Sequence, residues 1–312
     1  MSNAYYNNLP EEQFTLRSRI LRIPNLKLIK KLGEGGMSSV WKAWDIPNQR
    51  LVAVKILNKE FGSDGAEVRA FREEERLMEE IHHEGIVEAY DFDNGNGNWY
   101  FVMEYVDGYN FGDLLKRKQH VSEQDCILIC ESVAAALKYA WDDHGLVHCD
   151  LKPDNIMINT SGVIKLTDLG ISHRFNAMAG ESIDVPEHVL GTPAYISPEQ
   201  VYGDVELDCR SDIYSLAASL YHLSTGRILF PGYDNDTMMR AHCDENVQAR
   251  DPRSYRPELS EGFAQLLEAM LVKNRDYRVS SWQDVLDMCA VIENGAAFKA
   301  RADSAVSSVK LV

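Results

Sequence analysis

Hydrophobic and polar positions change their period about a third of the way along the chain. From Leu26 to Leu57 the apolar residues fall in three short runs, LKLIKKL (26–32), VWKAW (40–44) and LVAVKIL (51–57), with turn residues between them. Such runs predict strands. EVRAFREEERLMEEIHH (67–83) spaces Phe71, Leu77, Met78 and Ile81 among charges and predicts one amphipathic helix. IVEAYDF (86–92) and WYFVMEYV (99–106) flank NGNGN, which predicts a hairpin. From about residue 111 the period is helical. The stretch 122–145 opens on a capping box at Ser122 and stops at Gly145. Further helices are expected over 211–226, 261–273 and 281–294. A small β-rich lobe followed by a larger helical one is an α+β arrangement, with a cleft expected between the lobes. The expected boundaries are an N-terminal extension (1–25), the small lobe (26–105), the large lobe (106–293) and a tail or linker (294–312).

Composition narrows the function classes. The 312 residues are 45% hydrophobic and 26% charged, ordinary for a globular protein. Thirty-two Lys and Arg against 48 Asp and Glu give a net charge of −16. That field opposes general binding of nucleic acid, so a phosphate ligand needs a local site of amides, lysine or metal. The six cysteines contain no CxxC pair, and Cys126 and Cys130, one helical turn apart, read as buried thiols. All six are expected to be reduced, which implies the cytoplasm. No apolar run reaches the ~18 residues of a membrane span and no signal peptide is read at the start. The chain is expected to be cytoplasmic, in its own right or as the cytoplasmic domain of a longer membrane-anchored parent.

Three segments carry chemistry. In GEGGMSSV (33–40), Gly33, Gly35 and Gly36 let backbone amides approach an anionic group, with Ser38 where a third glycine would complete G-x-G-x-x-G. Lys55 ends LVAVK, and paired with Glu73, Glu74 or Glu75 it would fix a point charge for a phosphate. In LVHCDLKPDN (146–155), Asp150 can take a proton from a hydroxyl and Lys152 can neutralise a transferring group. Asn155 and, thirteen residues on, Asp168 of TDLG are hard oxygen ligands suited to Mg²⁺.

The order GEGGMSSV, VAVK, a Glu-bearing helix, HCDLKPDN, DLG and SPE resembles the eukaryotic-type protein kinase catalytic domain over residues 26–293, in its prokaryotic serine/threonine form. The resemblance implies the two-lobed protein-kinase fold and transfer of a phosphoryl group from ATP to protein serine or threonine, with Mg²⁺ or Mn²⁺ as cofactor. It implies that Gly33, Gly35 and Val40 cover ATP, that Lys55 holds its phosphates, and that Glu74 is the lysine's partner. Met103 would be the gatekeeper, with Glu104 to Val106 as hinge and Ala53 and Met157 closing the adenine pocket. Asp150 would be the catalytic aspartate, with Lys152 and Thr192 beside it, and Asn155 and Asp168 the metal ligands. Glu199 and Arg278 would form the structural ion pair of the large lobe, and Asp212 would brace the catalytic loop. Partners would be protein substrates, including the chain itself at Ser172 or Ser182, and neither nucleic acid nor a membrane span.

Two departures are mild: Ser38 for glycine, and Leu169 for the phenylalanine of D-F-G. Cys149 is the informative one, because many relatives carry an arginine there that is neutralised by phosphate on the activation loop. A thiol cannot make that clamp. The expectation is that Asp150 is aligned without loop phosphate and that Cys149 is a small packing residue. Two other readings stay open at this point: a pseudokinase that binds nucleotide or acts as a scaffold without transfer, and a kinase-fold enzyme acting on a small molecule.

Overall fold

The computed structural model describes residues 23–35, 38–58, 68, 72, 76, 78–95, 97–168, 173–174, 191–204, 206–232 and 234–309, with backbone alone for 173–174 and 296–309. The chain divides into two units, one of residues 1–79 and 88–105, the other of 80–87 and 106–312.

In the first unit, β1 (Leu26–Glu34), β2 (Ser38–Asp45), β3 (Arg50–Leu57), β4 (Ala89–Gly95) and β5 (Asn98–Glu104) form one antiparallel sheet in the order β1-β2-β3-β5-β4. Successive side chains of a strand point to opposite faces. One face therefore gathers Trp41, Ala43, Val52, Val54, Ile56 and Val102 into a core. The other carries two cross-strand rows, Val40 with Lys55 and Phe101, and Lys42 with Ala53 and Met103. Ile23, assigned to the N-terminal extension, is buried in that core and bridges Leu26.

The hairpin is tighter than NGNGN implied: Gly95 pairs with Asn98, and the turn passes through Gly97 at φ +77. Its first strand starts only at Ala89. Ile86 and Val87 belong to the second unit, where the amide of Val87 donates to the Leu166 carbonyl (2.9 Å) and the amide of Leu166 to the Gly85 carbonyl (2.8 Å). Likewise the helix expected over 67–83 is seen at Val68, Arg72, Arg76, Met78 and Glu79 and has ended by Glu80. His82 instead donates its amide to the Tyr139 hydroxyl (3.2 Å).

The second unit holds α1 (Phe111–Lys118), α2 (Glu123–His144), α3 (Pro198–Tyr202), α4 (Cys209–Thr225), α5 (Asn235–Cys243), α6 (Glu261–Met270) and α7 (Trp282–Val309). At the start of α2 the Ser122 hydroxyl accepts from the Asp125 amide (3.1 Å) and donates to the Asp125 carboxylate (2.7 Å), so Asp125 completes the cap. Cys126 and Cys130 lie on the buried face of α2. Of the 17 residues of α4, 15 are buried, which makes it the central helix on which α2 and α6 pack. The last helix runs on to Val309, so backbone expected as tail or linker is helical. Its continuation is rich in alanine and free of proline, and Gly295 costs only about 1 kcal/mol in a helix.

Short strands frame a loop. β6 (Gly108–Asn110), β8 (Ile156–Asn159) and β9 (Ile164–Leu166) form one sheet, and β7 (Leu146–Val147) pairs with β10 (His173–Arg174). Residues 148–155 run between β7 and β8, and Asp168 follows β9 by two residues.

Candidate active site

Asp150 is the centre of the loop and is 8% exposed. Its carboxylate accepts from the Thr192 hydroxyl (2.6 Å) and from the Lys152 ammonium (2.5 Å), and Lys152 also donates to Thr192 Oγ1 (3.0 Å). The side-chain amide of Asn155 donates to the Asp150 carbonyl (2.9 Å) and, at 3.4 Å, to Oδ2. Three residues from two distant stretches, Lys152, Asn155 and Thr192, thus fix one carboxylate, as proton acceptance from a positioned hydroxyl requires. Lys152 places a cation beside it, and the remaining lone pairs of the carboxylate stay available.

The backbone under this network is strained and tied down. Cys149 sits at φ +68, a left-handed conformation that costs a non-glycine residue roughly 1–2 kcal/mol. Its amide donates to Asp212 Oδ1 (2.9 Å), that of His148 to Asp212 Oδ2 (2.7 Å), and its carbonyl accepts from Gln200 Nε2 (2.6 Å). The thiol is 1% exposed, packed with Val147, Leu207 and Trp141. Burial pushes the Asp212 carboxyl up to about 6, against the opposing pull of His148 and of the two amides. It is ionised at neutral pH, in the form that accepts from both amides. His148, fully buried, accepts at Nδ1 from the Asp150 amide (3.3 Å) and contacts the Thr167 carbonyl through Nε2 (3.3 Å).

Asn155 commits its amide nitrogen to Asp150, which leaves its side-chain oxygen as the atom a hard cation would take. Its carbonyl accepts from the amide (3.0 Å) and hydroxyl (3.3 Å) of Thr167, so the segment bearing Asp168 is held against it. Asp168 is itself left-handed, at φ +60. Two such oxygen donors without a closed cage would suit Mg²⁺, a cation that usually keeps several waters and is bound by one or two carboxylates plus substrate phosphates. Among the described residues no group of three or more His, Cys, Asp or Glu could hold a metal on its own.

The remaining expected residues fall in both units. In the first, Gly33 pairs with Val40, Val40 with Lys55, and Ala53 with Met103, so one sheet face presents the residues that the resemblance assigns to ATP. Glu104 ends β5, and its amide donates to the Glu88 carbonyl (2.9 Å). Val106 and Met157 belong to the second unit, Met157 on β8 paired with Asn110. Gly36, Glu74, Ser172 and Ser182 lie outside the described residues. Glu199 and Arg278 form a buried ion pair at 2.6 Å. Sequence reasoning missed Gln200. Ser197-Pro-Glu-Gln is a capping box, and its glutamine oxygen accepts from the Ser197 amide and hydroxyl, freeing the amide nitrogen for the Cys149 carbonyl.

The chain matches the family described as protein kinase domain over residues 26–289. It is 35% identical over 274 residues to the serine/threonine-protein kinase PknA of Mycobacterium tuberculosis, covering 86% of this chain and 61% of that protein. It is 32% identical over 261 residues to the serine/threonine-protein kinase PrkC of Bacillus subtilis, covering 83% and 39%. A probable serine/threonine-protein kinase of Clostridium acetobutylicum is 34% identical over 273 residues, covering 86% and 40%. The chain therefore spans about three fifths or less of the length of these relatives. With the family matched across most of its length and the Asp150 network in place, this chain belongs to the protein kinase domain family.

Proposed function

We propose that the chain transfers the γ-phosphoryl group of ATP to serine or threonine hydroxyls of proteins. The observation that carries this reading is the fixed Asp150 carboxylate with Lys152 and Thr192 on it. The acceptor hydroxyl donates its hydrogen bond to Asp150. As its oxygen bonds to phosphorus and the bond to ADP breaks, the proton passes to that carboxylate. Lys152 offsets charge on the phosphoryl oxygens, and Lys55 with the amides of Gly33, Gly35 and Gly36 holds the phosphates. Asn155 and Asp168 would hold Mg²⁺, which shields the charge that gathers on the leaving phosphate. Mg²⁺-dependent transfer of labelled phosphate from ATP to the chain and to a basic protein acceptor tests the reading. Intact ATP binding without transfer to either would replace it with the scaffold reading.

The finer reading is that transfer does not depend on phosphate in the activation loop. Support comes from Cys149, where Asp212 and Gln200 fix the backbone from both sides and the thiol fills an apolar niche. The double variant Ser172→Ala and Ser182→Ala is expected to keep its transfer rate within about threefold, a shift under ~1 kcal/mol. A loss of tenfold or more, reversed by loop phosphate in the parent chain, would sink this part alone. Gln200→Ala removes a hydrogen bond from a buried carbonyl at a cost of about 1–3 kcal/mol. It is expected to slow transfer roughly tenfold or more and leave the Kd for ATP unchanged, as nucleotide titration beside single-turnover rates would show.

A further inference from the structure

Helix α5 is anchored by a polar ring. His242 is its one buried residue, and it is fully buried, where a helix docked by apolar contact would carry an aliphatic side chain. The imidazole meets the ring of Phe230 (5.0 Å, 82°) and that of Tyr214 on α4 (5.6 Å, 67°) edge to face. Arg278 lies over the Tyr214 ring (4.9 Å) and Lys273 over that of Phe230 (4.7 Å). Burial and the Lys273 charge hold His242 down at about 4, so the ring is uncharged at neutral pH.

A neutral imidazole has one N–H and one lone pair, and its surroundings decide which nitrogen carries which. Nδ1 lies 2.8 Å from the Tyr214 hydroxyl. Nε2 is buried and, among the described residues, has no hydrogen-bond partner. The backbone of Pro193 and Ala194 lies near the ring and favours a proton on it. With Nδ1 given to Tyr214, Nε2 is the nitrogen left for those two carbonyls. A lone pair there would be turned against carbonyl oxygens, so the favoured tautomer has Tyr214 donating to Nδ1 and the proton on Nε2. That N–H is a buried donor with its bond unmade, an expensive group to keep without a use.

The two carbonyls belong to the turn that borders the reacting carboxylate. Pro193 and Ala194 follow Thr192, whose hydroxyl donates to Asp150 (2.6 Å), and the Tyr195 amide donates to the Thr192 carbonyl (2.9 Å). Both residues are partly exposed. A protein chain that brings a hydroxyl to Asp150 therefore passes beside this turn. Resting on the kinase reading above, we infer that His242 is a positioning residue for the protein acceptor. Its Nε2–H closes on the Pro193 or Ala194 carbonyl as the acceptor chain settles on the turn, and this holds Thr192 and Asp150 in line with the incoming hydroxyl. His242 acts through the turn and not on the reacting atoms, so transfer to water, which needs no docked chain, is indifferent to it.

Transfer to the basic protein acceptor is therefore to be compared with acceptor-free hydrolysis of ATP by the same chain. His242→Leu fills the space without a donor. It is expected to raise KM for the acceptor roughly five- to tenfold, the worth of one neutral hydrogen bond, while the hydrolysis rate and the Kd for ATP stay within about twofold. His242→Gln places an amide nitrogen near the position of Nε2 and should recover most of that KM, whereas the shorter His242→Asn should not. Tyr214→Phe frees Nδ1 to carry the proton and should raise KM severalfold. Thermal melting identifies any variant that fails to fold. For that case the unaltered chain with isotope-labelled histidine gives a second measurement: adding the acceptor should slow exchange of the His242 N–H with water about tenfold or more, since a closed hydrogen bond protects it. A parent chain that hydrolyses ATP and transfers to no protein would overturn the kinase reading and this inference with it. A parent that transfers normally, with KM unchanged in His242→Leu, with hydrolysis falling as far as transfer, or with exchange unaffected by acceptor, would overturn this inference alone.

Discussion

Asp150→Asn is expected to reduce phosphoryl transfer about a thousandfold, within the 10²–10⁴ that general acid–base catalysis contributes. Asparagine has nearly the shape of the carboxylate, so the frame survives: Thr192, Asn155 and the two backbone anchors on Asp212 remain in place. The change removes the proton acceptor and turns an amide toward Lys152 or Thr192, where a donor now faces a donor. A thousandfold is about 4 kcal/mol of barrier at ~1.4 kcal/mol per tenfold. Single-turnover rates at saturating ATP measure it directly. The Kd for ATP and the melting temperature should hold, because Asp150 is assigned to the acceptor hydroxyl rather than to the nucleotide. A variant that transfers at more than a tenth of the parent rate would mean that the carboxylate does not take the proton.

Much of this site could be read along the chain because its parts are local. Asp150, Lys152 and Asn155 lie within six positions, and a loop so dense in polar groups has few purely structural uses. The strands were equally legible, since period-two alternation with turn residues between runs leaves little choice of register. What escaped was non-local or two-faced. Gln200 announces itself as the last member of a capping box, and nothing in the sequence says that its side-chain nitrogen meets a carbonyl 51 residues away. Residues 86–87 look like the start of a strand because they are apolar and β-branched, yet the Ile86 amide donates to the His83 carbonyl and the Val87 amide to the Leu166 carbonyl. The continuation of α7 past Asn294 shows no amphipathic period, because its small residues fit a helix as readily as a linker.

Arg278→Ala is the variant expected to damage the fold most. All five N–H groups of this guanidinium are used: both Glu199 oxygens accept (2.6 and 3.1 Å), and so do the carbonyls of Val272 (2.7 Å), Arg210 (2.6 Å) and Lys273 (2.9 Å). The side chain is fully buried and that of Glu199 4% exposed, so removing the arginine leaves a buried carboxylate with no cation, held by neutral donors, the Ser211 hydroxyl (2.8 Å) and its own backbone amide. Breaking a buried pair in this way costs about 3–5 kcal/mol. For a unit of this size that corresponds to a melting temperature lower by roughly 10 °C. Arg278→Lys should not rescue it, since three ammonium donors cannot serve five acceptors. The pH dependence has a definite sign. Burial pushes the Glu199 carboxyl up, but the Arg278 hydrogen bonds and charge outweigh it and hold the group below its usual range. A depressed carboxyl stabilises the fold fully above its unfolded value of about 4.5 and loses that contribution as pH falls through the folded one. Glu199→Gln should therefore cost most at neutral pH and narrow its gap to the parent chain below about pH 4.5, where calorimetric melts from pH 3 to 7 would show the curves converge. Curves that stay parallel would mean that the pair is held by packing and not by charge. Transfer should fall with stability in both variants, because Glu199 precedes Gln200 in the same helical turn, and Gln200 is what ties the Cys149 carbonyl beneath Asp150.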